Sequence, residues 1–159
     1  MNAEKNEKYL KNGKVIELLK NSALSAHTDI VCISLYKNLD SANKFIEFIK
    51  DLKDKNDAIV SSMGKTTITL ILHEKFLNQA KNFFSSQIQD INDKSGAIFV
   101  KCPKEANSTP GVIAYVSSLF SDENIPIYEL ISSYTDYVII LDEKHTYKMA
   151  AHLKKEFGC

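Results

Sequence analysis

Apolar positions recur along this chain with two alternating periods, and the clearest stretch lies between Gly96 and Asp142. Val112, Ile113, Val116, Leu119 and Phe120 fall on one helical face, the i, i+3/i+4, i+7 spacing of a helix packed on a core. Ahead of them Ala97 to Lys101 reads as a short strand, and between the two lies Asn107 to Val112, N-S-T-P-G-V. Ser108 or Thr109 is a natural N-cap there. Pro110 suits the first helical turn, where its missing N–H would be orphaned anyway, and Gly111 keeps the backbone approachable. The spacing predicts a strand, a tight loop and an open helix N-terminus. Ile127 to Ser133 and Tyr137 to Asp142 are β-rich runs joined by the hairpin-length Tyr134-Thr135-Asp136. A last helix is expected from about Lys144 to Phe157, with Tyr147, Ala150, Leu153 and Phe157 on one side. The order β-α-β-β-α is the greater part of a ferredoxin-like split βαβ unit.

The first half repeats the order. Ile30 to Tyr36 is a strand, and Asp40 is a candidate N-cap for a helix carrying Phe45, Ile46, Ile49 and Leu52. Ala58 to Ser62, a Met63-Gly64 turn and Thr66 to Leu72 then predict a hairpin, and a helix follows with Phe76, Leu77, Ala80, Phe83 and Phe84 inward. A shift of about 67 residues lays Ile46, Ile49 and Leu52 over Ile113, Val116 and Leu119, so the chain reads as an internal duplication. Where the second copy has S-T-P-G the first has Asn38-Leu39-Asp40-Ser41, with neither Pro nor Gly, and no ligand role is carried to it. Before the repeats come a polar run, Met1 to Asn12, and a short amphipathic helix with Val15, Ile16, Leu18 and Leu19, expected to pack or to tether. In Tyr137 to Leu141 both strand faces are apolar, whereas a split βαβ unit covers one face with helices. The other face is expected to need the sister unit or a second subunit, and a homodimer formed through strand edges or the open sheet faces is expected.

The run from Ser108 to Phe157, with T-P-G-V at the first turn, E-N-I-P-I-Y-E-L-I-S-S before the hairpin and V-I-I-L-D-E-K before the last helix, resembles an ACT domain. It is most like the second ACT unit in the regulatory half of aspartokinases and like small stand-alone archaeal tandem-ACT proteins. The resemblance covers about the last 60 residues well and the rest more weakly. It implies an α+β fold of two ferredoxin-like (βαββαβ) ACT units in tandem, antiparallel sheets with helices on one face. The expected division is an N-terminal helix or tether over 1–21, a first unit over 22–94 and a second over 95–159. Because the chain stops after a helix, the strand Ser22 to His27 is expected to be lent to the second unit. The resemblance also implies a non-catalytic regulatory protein that senses small molecules, usually amino acids, at interfaces between ACT units.

Composition narrows the classes further. The 159 residues carry 20 acidic and 20 basic side chains, and every basic one is Lys. Nucleic-acid binders normally show a basic excess and use Arg for bidentate contacts, so that class is not expected. No apolar run approaches a membrane span and Met1 to Lys5 lacks a signal-peptide core, which predicts a cytoplasmic protein with no membrane partner. Cys32, Cys102 and Cys159 form no C-x-x-C pair and read as reduced thiols.

The candidate site is the helix start. Free backbone N–H groups and the positive end of the helix dipole at Gly111 to Ile113 suit a carboxylate. The ligand's ammonium would then meet carbonyls of Tyr128, Glu129, Leu130 and Ile131, or the side-chain oxygens of Asn107, Glu129 or Ser132. The full set is Asn107, Ser108, Thr109, Pro110, Gly111, Val112 and Ile113 with Tyr128 to Ser132. The plainer alternative is that T-P-G is only a well-formed cap.

No catalytic residue, metal site or cofactor is expected. Gly64-Lys65-Thr66 imitates a phosphate loop but has Ile59 where that loop needs Gly, and the four His lack metal-ligand spacing. Ser132-Ser133 has no nucleophile elbow around it. An acylphosphatase-like enzyme would want Arg and a glycine-rich cradle, and the chain has neither. Two alternatives to a free-standing sensor stay open: a ligand-free dimerisation or interaction module docking on a client metabolic enzyme, and the excised regulatory part of an aspartokinase.

Overall fold

The computed structural model describes residues 13–52 and 60–158, so the polar run before Gly13, the start of the Ala58 to Ser62 strand and Cys159 lie outside it. The described elements are α1 (Gly13–Lys20), β1 (Ala23–Tyr36), α2 (Leu39–Asp51), β2 (Val60–Met63), β3 (Thr67–His73), α3 (Leu77–Phe84), β4 (Ile88–Lys101), α4 (Val112–Asp122), β5 (Glu129–Ser133), β6 (Asp136–Asp142) and α5 (Glu143–Phe157). The fold is α+β, an antiparallel six-stranded sheet in the order β2-β3-β1-β4-β6-β5 with helices. The chain forms two compact units, one of residues 29–95 and one in which the N-terminal segment up to Thr28 joins the segment from Gly96 onward. The 14-residue strands β1 and β4 therefore each give one half to each unit.

In the 29–95 unit, β1 pairs antiparallel with β3 from Ile30↔His73 to Tyr36↔Thr67, and β2 pairs with β3 from Val60↔Ile71 to Met63↔Ile68. Period-two alternation sends Val31, Ile33 and Leu35 of β1 and Ile68, Leu70 and Leu72 of β3 into one core. Phe48 and Leu52 of α2 and Ala80 and Phe84 of α3 complete it, with the Phe48 and Phe84 ring centroids 5.0 Å apart. The α2 stripe differs from the expected one: Phe48 is 1% exposed and anchors the helix, whereas Ile46 is 51% exposed and Ile49 also faces out. The cap differs too. Asn38, not Asp40, starts α2, in a capping box in which Asn38 Oδ1 accepts from Ser41 N–H at 2.8 Å and Asn38 N–H donates to Ser41 Oγ at 2.9 Å. The inward stripe is then Ser41, Phe45, Phe48 and Leu52, with spacings of four, three and four residues.

In the other unit, β5 and β6 form the hairpin Glu129↔Ile140 to Ser133↔Asp136. Its core joins Val15 and Leu19 of α1, Ile98 and Val100 of β4, Val116, Leu119 and Phe120 of α4, Tyr137, Ile139 and Leu141 of β6, and Met149, Leu153 and Phe157 of α5. The first half of β1 belongs here, with Leu24 and Ala26 against that core and the His27 ring edge-on to Phe99 at 5.5 Å. Tyr147, expected inward, is exposed, while Thr146 and Met149 are buried instead. Val138 and Ile140, on the strand face away from that core, are 5% and 0% exposed within the single chain. The apolar run of β6 is thus covered without a second subunit, which removes the reason given above for a homodimer. Among the described residues no helix is long and apolar enough to cross a membrane, and no group of His, Cys, Asp and Glu could hold a metal ion.

Candidate functional site

The segment between β4 and α4 is held by main-chain bonds and by two side-chain hydroxyls. Cys102 N–H donates to Thr135 O at 2.8 Å, tying the end of β4 to the β5–β6 turn. A 3₁₀ turn, Lys104–Ser108, follows Pro103 and closes with Thr109 N–H donating to Ala106 O at 3.3 Å. The hydroxyls of Ser108 and Thr109 both point back, donating to Glu105 O at 3.2 and 2.8 Å. Neither caps α4, contrary to the expectation from sequence, because both are already bound one turn upstream. The N-cap is Gly111, at φ 98°, a left-handed conformation that glycine adopts without penalty. Pro110 accordingly lies ahead of the cap and not in the first helical turn.

The first intrahelical bond runs from Tyr115 N–H to Gly111 O at 2.8 Å, and no side chain caps the helix. No side chain accepts from the N–H groups of Val112, Ile113 and Ala114, which precede the first intrahelical donor of α4. The other long helices differ: Asn38 caps α2, and Asp142 caps α5 by accepting from Lys144 N–H at 3.0 Å. Val112 is buried, Gly111 is half-buried, and Asn107, Ser108, Pro110, Ile113 and Ala114 are exposed.

The hairpin decides which strand residues share this end of the sheet. Ser132 and Ser133, next to the Tyr134–Thr135 turn, lie at the end where Cys102 bonds Thr135. Tyr128 and Glu129 lie at the other end: Tyr128 N–H donates to Ile140 O at 2.8 Å, and the Tyr128 hydroxyl is 3.5 Å from Asp142 Oδ2. At roughly 3.3 Å per residue, Glu129 is about 13 Å along the strand from Ser133. Within one chain, then, Ser132 shares the end of the sheet that holds the turn, while Tyr128 and Glu129 do not. Leu130 packs against the core and Ile131 is half-buried. Residue spacing alone did not single out Ala114, Tyr134 or Thr135. The hairpin-length break at Tyr134 was the available signal, and the bond from Cys102 gives it meaning.

Charge near the turn is balanced. Lys101 and Asp136 form an exposed ion pair at 3.3 Å. Burial pushes the Cys102 thiol above its usual range; a hydrogen bond with Ser22 opposes this and the Asp136 carboxylate adds to it, so the group stays a thiol near neutrality. Burial likewise raises the Tyr137 phenol. A hollow of roughly 540 Å³ lies in the same unit at the far end of α4, floored by Phe120 and Ile125 and edged by Ser121 and Asn124.

Residues 91–147 match the family model described as the ACT domain. No curated protein matches the chain. Among solved structures, aspartate kinase from Synechocystis superposes with a TM-score of 0.69 at 16% identity, over 86% of this chain but only 27% of that one. The ligand-free regulatory subunit of aspartate kinase from Thermus thermophilus gives a TM-score of 0.63 at 14% identity, over 84% of this chain and 95% of that one. Aspartokinase III of E. coli, in complex with lysine and aspartate, gives 0.62 at 11% identity, over 85% of this chain and 32% of that one. Residues 91–147 are thus an ACT domain, set in a chain whose fold is that of aspartokinase regulatory subunits and domains.

Proposed function

We propose that this chain is a non-catalytic regulatory protein of amino-acid metabolism that senses an amino acid at the turn leading into α4. The observation that carries the reading is the left-handed Gly111 followed by three uncapped donors at Val112, Ile113 and Ala114. An α-carboxylate satisfies such donors and the positive helix end at once. The ligand's ammonium is held by the oxygens of Asn107 and Ser132. Solved aspartokinase III of E. coli holds lysine and aspartate, which supports the ligand class without naming this chain's ligand.

The same reading includes a homodimer formed at the edge of β5, which ends the strand order and pairs on one side only with β6. Antiparallel pairing of two β5 edges would set the partner's Tyr128 and Glu129 against Ser132 and Ser133 of the first copy. That arrangement reunites the two halves of the expected site, which one chain keeps at opposite ends of the strand. It also keeps the tandem reading, with 95–159 and the lent strand as the sensing unit.

A thermal-shift panel of the proteinogenic amino acids tests the sensor directly. A second reading, a module docking on an enzyme, is favoured by exposed Ile46 and Ile49 on α2. It takes over if no amino acid moves the melt.

A further inference from the structure

The two 14-residue strands, β1 and β4, share one burial pattern. In β1 none of the seven residues before Ile30 is buried, and in β4 none of the seven before Ser95. Ile30 to Ile33 and Ser95 to Ile98 are then buried without a break. The switch comes where each strand passes from one compact unit to the other, at Thr28–Asp29 and at Ser95–Gly96. At both crossings the backbone departs from regular strand on the 29–95 side. Asp29 has φ 59°, a left-handed value that bends a strand as a bulge does, and pairing with β3 starts only at Ile30. In β4 the Asn92 Oδ1 accepts from Lys94 N–H at 3.2 Å, and the Ser95 hydroxyl donates to Asn92 O at 3.3 Å. Such local bonds compete with a strand's ladder. On the other side, neighbouring residues of one helix hold both strands: the Thr28 and Tyr147 hydroxyls are 3.4 Å apart, and Gly96 lies against the buried Thr146.

We propose that Asp29 and the Asn92–Ser95 turn are the two flexure points of a hinge, about which the 29–95 unit turns as a body while Thr28 and Gly96 stay fixed to α5. Each unit has a core of its own, one around Phe48 and Phe84 and the other around Phe120 and Phe157, so bending at the crossings opens neither. The motion is then confined to a few backbone dihedrals, as in hinges generally. Asp is among the few residues that reach both the left-handed and the extended regions at small cost, so residue 29 changes its φ without disturbing either core. Strands β1 and β4 are neighbours in the sheet, so a body rotation needs both crossings to yield, whereas one irregular strand alone would only kink. The inference is independent of the ligand reading above.

The test measures distances between nitroxide labels on the full chain by pulsed electron resonance, in a Cys159→Ser background in which Cys32 and Cys102 are buried. Labels at Glu47→Cys of α2 and Lys155→Cys of α5 report across the crossings, and labels at Glu47→Cys and Asn82→Cys report within the 29–95 unit; all three positions are exposed. The distribution across the crossings should be about twice as wide as the one within the unit. Asp29→Gly, which frees φ, and Asn92→Ala, which removes the Oδ1 acceptor, should each widen it further and leave the within-unit distribution unchanged. Asp29→Asn, which keeps the tolerance for a left-handed backbone, should match wild type. Equal widths in the wild type would overturn the hinge. A wide distribution that neither Asp29→Gly nor Asn92→Ala alters, or that only one of them alters, overturns the paired assignment. So does a widening that appears within the 29–95 unit as well, since that is loosening of the unit and not rotation about it.

Discussion

Gly96 of β4 lies directly against Thr146 of α5, so close that an added Cβ would fall inside the shell of Thr146 Oγ1 and 2.8 Å from Thr146 Cβ. Thr146 is fully buried and its hydroxyl donates to Asp142 O at 3.2 Å, so it has little room to retreat. Helix α5 can therefore sit on the sheet only because residue 96 has no side chain. Gly96→Ala should destabilise the chain by about 2–3 kcal/mol through overpacking. Gly64→Ala is the control, since its Cβ would meet only Thr67 O at 3.5 Å, and its midpoint in urea should barely move.

The inward stripe of α2 gives a second prediction. Phe48→Ala should cost about 3–5 kcal/mol, because it empties the centre of a packed cluster. Ile46→Ala, on the exposed side, should stay within about 0.5 kcal/mol in the same unfolding assay. Equal losses would restore the stripe expected from sequence.

Acid should loosen the start of α5. The Asp142 carboxyl is held below its ordinary range, first by its hydrogen bond with the Lys144 side chain and then by the Lys144 backbone N–H. A depressed folded pKa stabilises the fold above the unfolded value and is lost as pH falls through the folded one, so the effect appears below about pH 4. Asp142→Asn, which keeps a capping oxygen but no charge, should show a shallower fall in melting temperature between about pH 5 and pH 2 than wild type. Asp142→Ala should also melt lower at neutral pH.

At Gly111 the left-handed backbone changes what a substitution means. Gly111→Val puts a β-branched residue at φ 98° and should cost about 1–3 kcal/mol by strain alone. Loss of binding in that variant would not isolate the ligand contact. Gly111→Asn, which tolerates the conformation better while crowding the donors at Val112 to Ala114, is the cleaner probe.

Much of this fold was legible in the sequence. The periods beginning at Val112 and Tyr137 mark true elements, since helix and strand faces need those spacings to reach a core, whereas the strand expected from Ile30 is the second half of one that begins at Ala23. The fine structure of the site was less so. Ser108 and Thr109 have the chemistry of N-caps, but spacing cannot tell that their hydroxyls are already committed to Glu105 O. The hairpin at Tyr134–Thr135 was legible, but not the bond from Cys102 to Thr135, which sets Ser132 at the end of the sheet that holds the turn and leaves Tyr128 at the other. Ile46, Ile113 and Tyr147 fit the helical period, yet each lies at the exposed margin of its stripe.

The central claim is that the uncapped α4 turn binds an amino acid, and the melting temperature of the full chain across the proteinogenic panel measures it most directly. A ligand at about 100 times its dissociation constant stabilises the fold by roughly 2.7 kcal/mol, which in a chain of this size raises the melt by several degrees. The account predicts such a rise for at least one amino acid in the wild type and a markedly smaller one in Gly111→Asn. A wild-type melt that no amino acid shifts at millimolar concentration, or an equal rise in Gly111→Asn, would contradict it.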